Sequence, residues 1–151
     1  MIEKSLAEQL ISDVLGACAC DKLRTAARRI TRRYNEALKP AGLTATQFTI
    51  LTTICLTDGA TLTELADHLG MERTTFLRNL GPLERQALIK TNDHGHGHGR
   101  ARTTKLTKKG TAVMAIALPL WRQAQQALKK QLGNETWNQV HTGLTAICSL
   151  I

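Results

Sequence analysis

Apolar residues recur at helical spacing along most of the chain, in runs separated by glycine, proline or short polar stretches. Over residues 5–39 the pattern predicts one long helix, or two in near succession. Leu6, Leu10, Val14 and Leu15 form a first stripe, Gly16 is placed to break or bend it, and Leu23, Ala27, Ile30, Tyr34 and Leu38 form a second. Pro40 and Gly42 end the run. Arg24, Arg28, Arg32 and Arg33 occupy its other face and read as a solvated helix surface rather than a contact. Thr44 with Gln47 opens the next helix as a capping box. There Phe48, Leu51, Thr52 and Cys55 share a face and should pack inward, before Asp58-Gly59 turns the chain. Near the other end, residues 108–132 predict an alanine-rich helix with a kink at Pro119, its larger apolar groups being Leu118, Trp121 and Leu128. Gly133 ends it and Asn134 is expected to cap a last helix. In that helix Trp137, Val140, Leu144, Ile147 and Ile151 form a narrow seam of the kind two helices share.

The stretch from Thr61 to Ala87 organises the rest. Leu62, Leu65, Ala66 and Leu69 give a short helix one apolar face, Thr61 with Glu64 starts it, and Gly70 stops it. A second helix follows, with Phe76, Leu80, Leu83 and Ala87 on one side. Thr74, Arg78 and Arg85 lie opposite, flanked by Arg73 and Thr75. Two short helices joined by a tight glycine turn, the second showing Arg and Thr outward, have the form of a helix-turn-helix. Arginine grips guanine edges or phosphates, and threonine touches a thymine methyl or a phosphate. The bland alternative is an αα-hairpin with a merely solvated polar face. Gly81-Pro82 lies inside the second helix, so its C-terminal part should bend away and leave contacts to the first two turns.

After Ala87 the period changes. Leu88 to Thr91 and Arg102 to Leu106 read as two strands around the glycine-dense run NDHGHGHGRA, a hairpin with a long tip. A very short extended piece over Ala60 to Leu62 is also compatible with the pattern. A hairpin directly behind a helix-turn-helix is a wing, and Arg100 and Arg102 could reach a minor groove or the adjacent phosphates.

Composition agrees. The 151 residues suffice for one domain with its own core. The net charge of +8 implies attraction to a polyanion. No apolar run approaches membrane-spanning length, and residues 1–15, with Glu3, Glu8 and Asp13, lack a signal-peptide layout. A cytoplasmic chain with four reduced cysteines is therefore expected.

The remaining chemistry is sparse. On a helix, Cys18 and Cys20 would point away from each other, so they could not close a bridge or share a metal there. Across an interface one of them could meet its symmetry mate or Cys148, and Lys22 and Arg24 would favour a thiolate. The plainer reading is small buried residues, and Cys55 reads as core. His94, His96 and His98 alternate with glycine and could gather a transition metal, but a glycine-flexed loop is a poorly preorganised site. His68 and His141 are isolated. With no nucleophile–base set, phosphate loop or carboxylate pair, no enzyme activity and no cofactor are expected. A thiol oxidoreductase using Cys18 and Cys20 is the alternative from another class, weakened by the lack of a βαβ context.

The order of these pieces resembles the MarR family of bacterial winged-helix transcription regulators. The resemblance is carried by the run from Asn35-Glu36-Ala37-Leu38 through Pro40, Gly42-Leu43-Thr44 and Gln47-Phe48, by Leu62 to Gly70, by Arg73 to Leu80, and by Gly99-Arg100-Ala101-Arg102 with Leu106 to Gly110. It spans nearly the whole chain. It implies a mainly α fold with a small β-hairpin wing. A winged helix-turn-helix lobe over residues 44–107 (helix-turn-helix 61–87, wing 88–106) would sit between dimerisation helices at 5–39 and 108–151. It further implies a homodimer acting as a repressor, released from a palindromic operator in double-stranded DNA, at the bacterial nucleoid, by a small molecule such as an aromatic or phenolic acid or by an oxidant. An effector-independent winged-helix DNA binder is the nearest alternative. The expected DNA contacts are Thr61, Arg73, Thr74, Thr75, Arg78 and Asn79, with Arg100 and Arg102 on the wing. Family wings carry an acidic residue shortly before the arginine pair; here His98 and Gly99 stand near that place, with Asp93 further back.

Overall fold

Local sequence signals account for most element boundaries in a computed structural model of the chain, which describes residues 4–57, 59–93 and 102–150. Two units separate, Met1–Arg33 and Tyr34–Ile151.

In the first unit, α1 (Lys4–Gln9) passes into a π-helical segment, Leu10–Leu15. The amide of Gly16 donates to the Ile11 carbonyl at 3.0 Å, the longer-range bond of a π turn. A side chain at Gly16 would put its Cβ 2.7 Å from the Ser12 carbonyl oxygen, so the helix ends where only glycine fits. The expected break is therefore real, and α2 begins afresh at Ala19 and runs to Leu38. Leu6, Leu10, Ile11, Val14 and Leu15 all lie exposed.

In the second unit the end of α2 leads through a 3-10 turn, Lys39–Ala41, to Gly42, whose φ of 69° is the left-handed exit glycine allows. The predicted capping box opens α3 (Ala45–Leu56): the Thr44 hydroxyl accepts from the Gln47 amide at 3.2 Å, and Gln47 Oε1 accepts from the Thr44 amide at 2.9 Å. Ala45 also donates to Asn35 Oδ1 at 2.7 Å, tying α3 to the end of α2. Burial on α3 runs wider than the single face expected. Phe48, Ile50, Leu51, Thr53 and Ile54 are buried, whereas Cys55 is exposed rather than core. The helix is apolar nearly all round, so periodicity could not say which side faces inward.

Helix α4 (Leu62–His68) and helix α5 (Arg73–Arg85) follow, joined at Gly70 with φ 58°. Strands β1 (Ile89–Asp93) and β2 (Arg102–Leu106) pair antiparallel, Ile89 opposite Leu106 and Asp93 opposite Arg102. The short extended piece appears as a bridge between Thr61 and Thr103. Phe76, Leu80 and Leu83 from α5, Leu62 and Leu65 from α4, Ile50 and Leu51 from α3, and Leu88 and Ile89 at the wing base form one core. Ala87, expected on the apolar face of α5, is instead exposed at φ 55°, beyond the last helical residue.

Helix α6 (Lys108–Leu132) continues past Pro119, and α7 (Asn134–Cys148) follows after Gly133. Asn134 is not the cap: it is the first helical residue, and Gly133 at φ 77° takes the cap position without a side-chain bond. No residue of α7 is buried, while Ala117 and Ala124 of α6 are. Ile151 of the expected seam lies outside the described residues.

Candidate nucleic-acid interface

The candidate interface centres on α5. Spacings of four and three place Phe76, Leu80 and Leu83 on the buried side, which fixes the opposite side outward. Arg73, Thr74 and Arg78 are exposed there, and Arg85 continues the line. Thr75 and Asn79 are half-buried on the flank. Asn79 Nδ2 donates to the Thr75 carbonyl at 2.8 Å, a bond within its own helix. Arg73 Nη1 donates to the Thr63 hydroxyl of α4 at 3.3 Å, so the first residue of α5 is steered by its partner helix.

Thr61 is engaged in starting α4. Its hydroxyl donates to Glu64 Oε2 at 2.9 Å and accepts from the Glu64 amide at 3.2 Å, while its own amide donates to Glu64 Oε2 at 2.8 Å. The backbone bond from Thr61, and then its hydroxyl, hold the Glu64 carboxyl below the ordinary glutamate range. Thr61 thus sits at the wing-side end of the helix-turn-helix with its hydroxyl already paired inside the chain.

The wing is anchored beneath by buried Thr103 and Thr104, and the Thr91 hydroxyl donates to Glu84 of α5. Arg102 opens β2 opposite Asp93. Arg100, and with it His94, His96 and His98, lies outside the described residues. Among the described residues no cluster of three metal-ligating side chains occurs.

What the sequence did not reveal is how α6 grips the end of α5. The Thr107 amide donates to the Leu88 carbonyl at 3.0 Å, and its hydroxyl donates to the Ala87 carbonyl at 2.7 Å. Lys109 Nζ donates to the Gln86 carbonyl at 2.9 Å, on the same turn. Gly110 lies so close that an added Cβ would stand 2.0 Å from the Leu88 carbonyl oxygen. The carbonyls of Gln86, Ala87 and Leu88, just beyond α5, thereby find donors at the start of α6. The only forward signal was the Leu106-Thr107-Lys108-Lys109-Gly110 run, which carried a resemblance but no stated role.

A cavity of about 440 Å³ opens between α3 and α6, walled by Phe48, Cys55, Leu56, Met114, Leu118 and Trp121. The Phe48 and Trp121 rings stack there with centroids 6.0 Å apart and planes 20° apart. The exposed Cys55 is one of its walls. The other cysteines are free: Cys18 is half-buried one residue ahead of α2, and Cys20 and Cys148 are exposed. Because Cys18 precedes the helix, Cys18 and Cys20 are not the helical i, i+2 pair expected from the pattern.

No protein-family profile matches the chain, and no curated protein matches it. Solved structures do. The M. tuberculosis transcriptional regulator MosR is 36% identical, with 88% of this chain and 94% of that one covered and a TM-score of 0.75. Its complex with DNA gives 36% identity, coverage of 89% and 100%, and a TM-score of 0.73. The transcriptional repressor CouR bound to a 23-mer DNA duplex is 26% identical, with coverage of 92% and 95% and a TM-score of 0.78. CouR has also been solved bound to p-coumaroyl-CoA. The E. coli MarR fold itself is shared at 22% identity and a TM-score of 0.69.

Proposed function

Since the chain belongs to the MarR family of winged-helix transcriptional regulators, we propose that it works as a homodimeric repressor that reads a near-palindromic operator. The observation that carries this reading is the outward line of Arg73, Thr74 and Arg78 on a helix whose other side is locked into the core. Arg78 with Thr74 reads base edges in the major groove, Arg73 and Thr75 position the helix, and Asn79 lends its remaining amide groups. Arg100 and Arg102 grip phosphates or the minor groove from the wing. Thr61 contributes through backbone placement. The half-sites lie about 10 bp apart centre to centre, one turn of B-form DNA.

The second copy is supported by α7, whose apolar seam is only partly covered: Val140, Leu144 and Ile147 stay exposed and Trp137 is half-buried. In this reading residues 5–39 and 108–151 supply the dimerisation helices, and residues 44–107 supply the DNA-binding lobe. The effector enters the cavity between α3 and α6, as CouR takes a small-molecule ligand. From there a contiguous route leads to the operator. Thr111 lines the cavity, its hydroxyl donates to the Thr107 carbonyl at 3.1 Å, and Thr107 holds the end of α5. Cys18 and Cys20 are the residues through which an oxidant would act instead. The protein does no catalysis and acts at DNA in the cytoplasm.

A gel shift with the region upstream of its own gene tests the reading. Sequence-selective retention is expected, Arg78→Ala should change the ranking of operator variants, and Arg100→Ala should weaken all of them and lower the salt slope by about one. Equal retention of unrelated DNA, or a uniform loss for Arg78→Ala, would sink it.

A further inference from the structure

On the reading that the cavity between α3 and α6 is the effector site, we propose that the part of the effector seated there is uncharged, unlike the acids that the resemblance implies. Among the described residues, none that lines the cavity carries a charge. Its wall is carbon and sulfur: aromatic faces from Phe48 and Trp121, a thioether from Met114, a thiol from Cys55, and aliphatic groups from Leu56 and Leu118.

Two threonines also face it, and both hydroxyls are already engaged. Thr52 donates to the Phe48 carbonyl at 2.8 Å, and Thr111 donates to the Thr107 carbonyl at 3.1 Å, each within its own helix. A carboxylate or phosphate moved from water against this wall loses its hydration and, among the described lining residues, meets no cation and no unengaged hydroxyl. A flat apolar body meets two stacked rings and a polarizable sulfur instead. The volume falls within the range of small-molecule sites.

Two probes that share one aromatic body test this on the full-length protein without DNA. N-phenyl-1-naphthylamine is neutral; 8-anilinonaphthalene-1-sulfonate is the same body with a sulfonate on the ring edge beside the anilino nitrogen, so seating both aromatic halves brings the charge against the wall. Fluorescence titration should show the neutral probe binding saturably and roughly tenfold tighter or better. Ala115, which lines the cavity and is exposed, offers a site for a new cation. Ala115→Lys should weaken the neutral probe and strengthen the sulfonate until the order reverses. Thr52→Val should leave the neutral probe within about twofold, because the hydroxyl it removes is already paired.

Equal or tighter binding of the sulfonate to the unmodified protein overturns the proposal, as does a failure of Ala115→Lys to move either affinity. An operator gel shift on the same preparations separates the two claims. Selective DNA retention with the wrong probe order rejects the uncharged effector alone. Lost retention with the expected probe order rejects the regulator reading and leaves the cavity chemistry standing.

Discussion

Helices α5 and α7 are nearly the same length and carry apolar residues at the same three- and four-residue intervals, yet the chain treats them oppositely. On α5 that stripe is closed, with Phe76 and Leu83 fully buried. On α7, Val140, Leu144 and Ile147 each keep about two-fifths of their surface, at 40%, 41% and 39%. The difference teaches that periodicity states which side of a helix avoids water but not which molecule supplies the shelter. For α5 the shelter is α3, α4 and the wing base. For α7 the described residues cover the stripe only in part; in the proposed homodimer a second copy would complete the shelter, because a two-fold interface pairs a patch with itself.

Breaking each stripe should therefore have different consequences. The largest effect is expected from Phe76→Ala, which leaves a cavity in a closed core and should lower unfolding stability by about 3–5 kcal/mol in denaturant titration. A loss below about 1 kcal/mol would mean that the core around α5 is not closed. Leu144→Lys should instead leave the circular-dichroism signal intact and weaken self-association roughly a hundredfold in sedimentation, the factor that about 2–3 kcal/mol gives. Unfolding without a change in association would place the α7 stripe inside the chain after all.

A smaller effect sharpens the closed side of the comparison. Ala87 sits at φ 55° just after α5, a conformation that glycine adopts without strain. Ala87→Gly should raise stability by about 1 kcal/mol, and a lower melting temperature would refute the strain. The smallest effect concerns pH. Glu64 titrates below its ordinary range because Thr61 bonds to its charged form. Its contribution is present above the ordinary unfolded value and is lost as pH falls through the lower folded value. The stability profile of Glu64→Gln should lack that acid-side decline, and parallel profiles for the two proteins would remove the linkage.

The same contrast marks what could be read in advance. The capping boxes at Thr44 and Thr61, the stop at Gly70 and the break at Gly16 depend on bonds or sterics within a few residues, so the local order of side chains determines them. The outward line of Arg73, Thr74 and Arg78 was legible for a related reason: burying Phe76, Leu80 and Leu83 leaves those positions nowhere else to face.

Other positions gave no such handle. Cys55 looked like core because α3 is apolar nearly all round. Asn134 looked like a cap although Gly133 already turns the chain. Gly110 showed no need for its missing side chain until the Leu88 carbonyl stood over it. The Gly110 case turns on a group far along the chain, whereas Asn134 turns on its own neighbour, Gly133. By itself, then, the amino-acid order determined the elements and the side each shows to water, because helix and strand signals are short-ranged. Only the tertiary structure decided that α6 clamps the end of α5 and that an uncharged cavity opens beside α3, because those features exist only where distant residues meet.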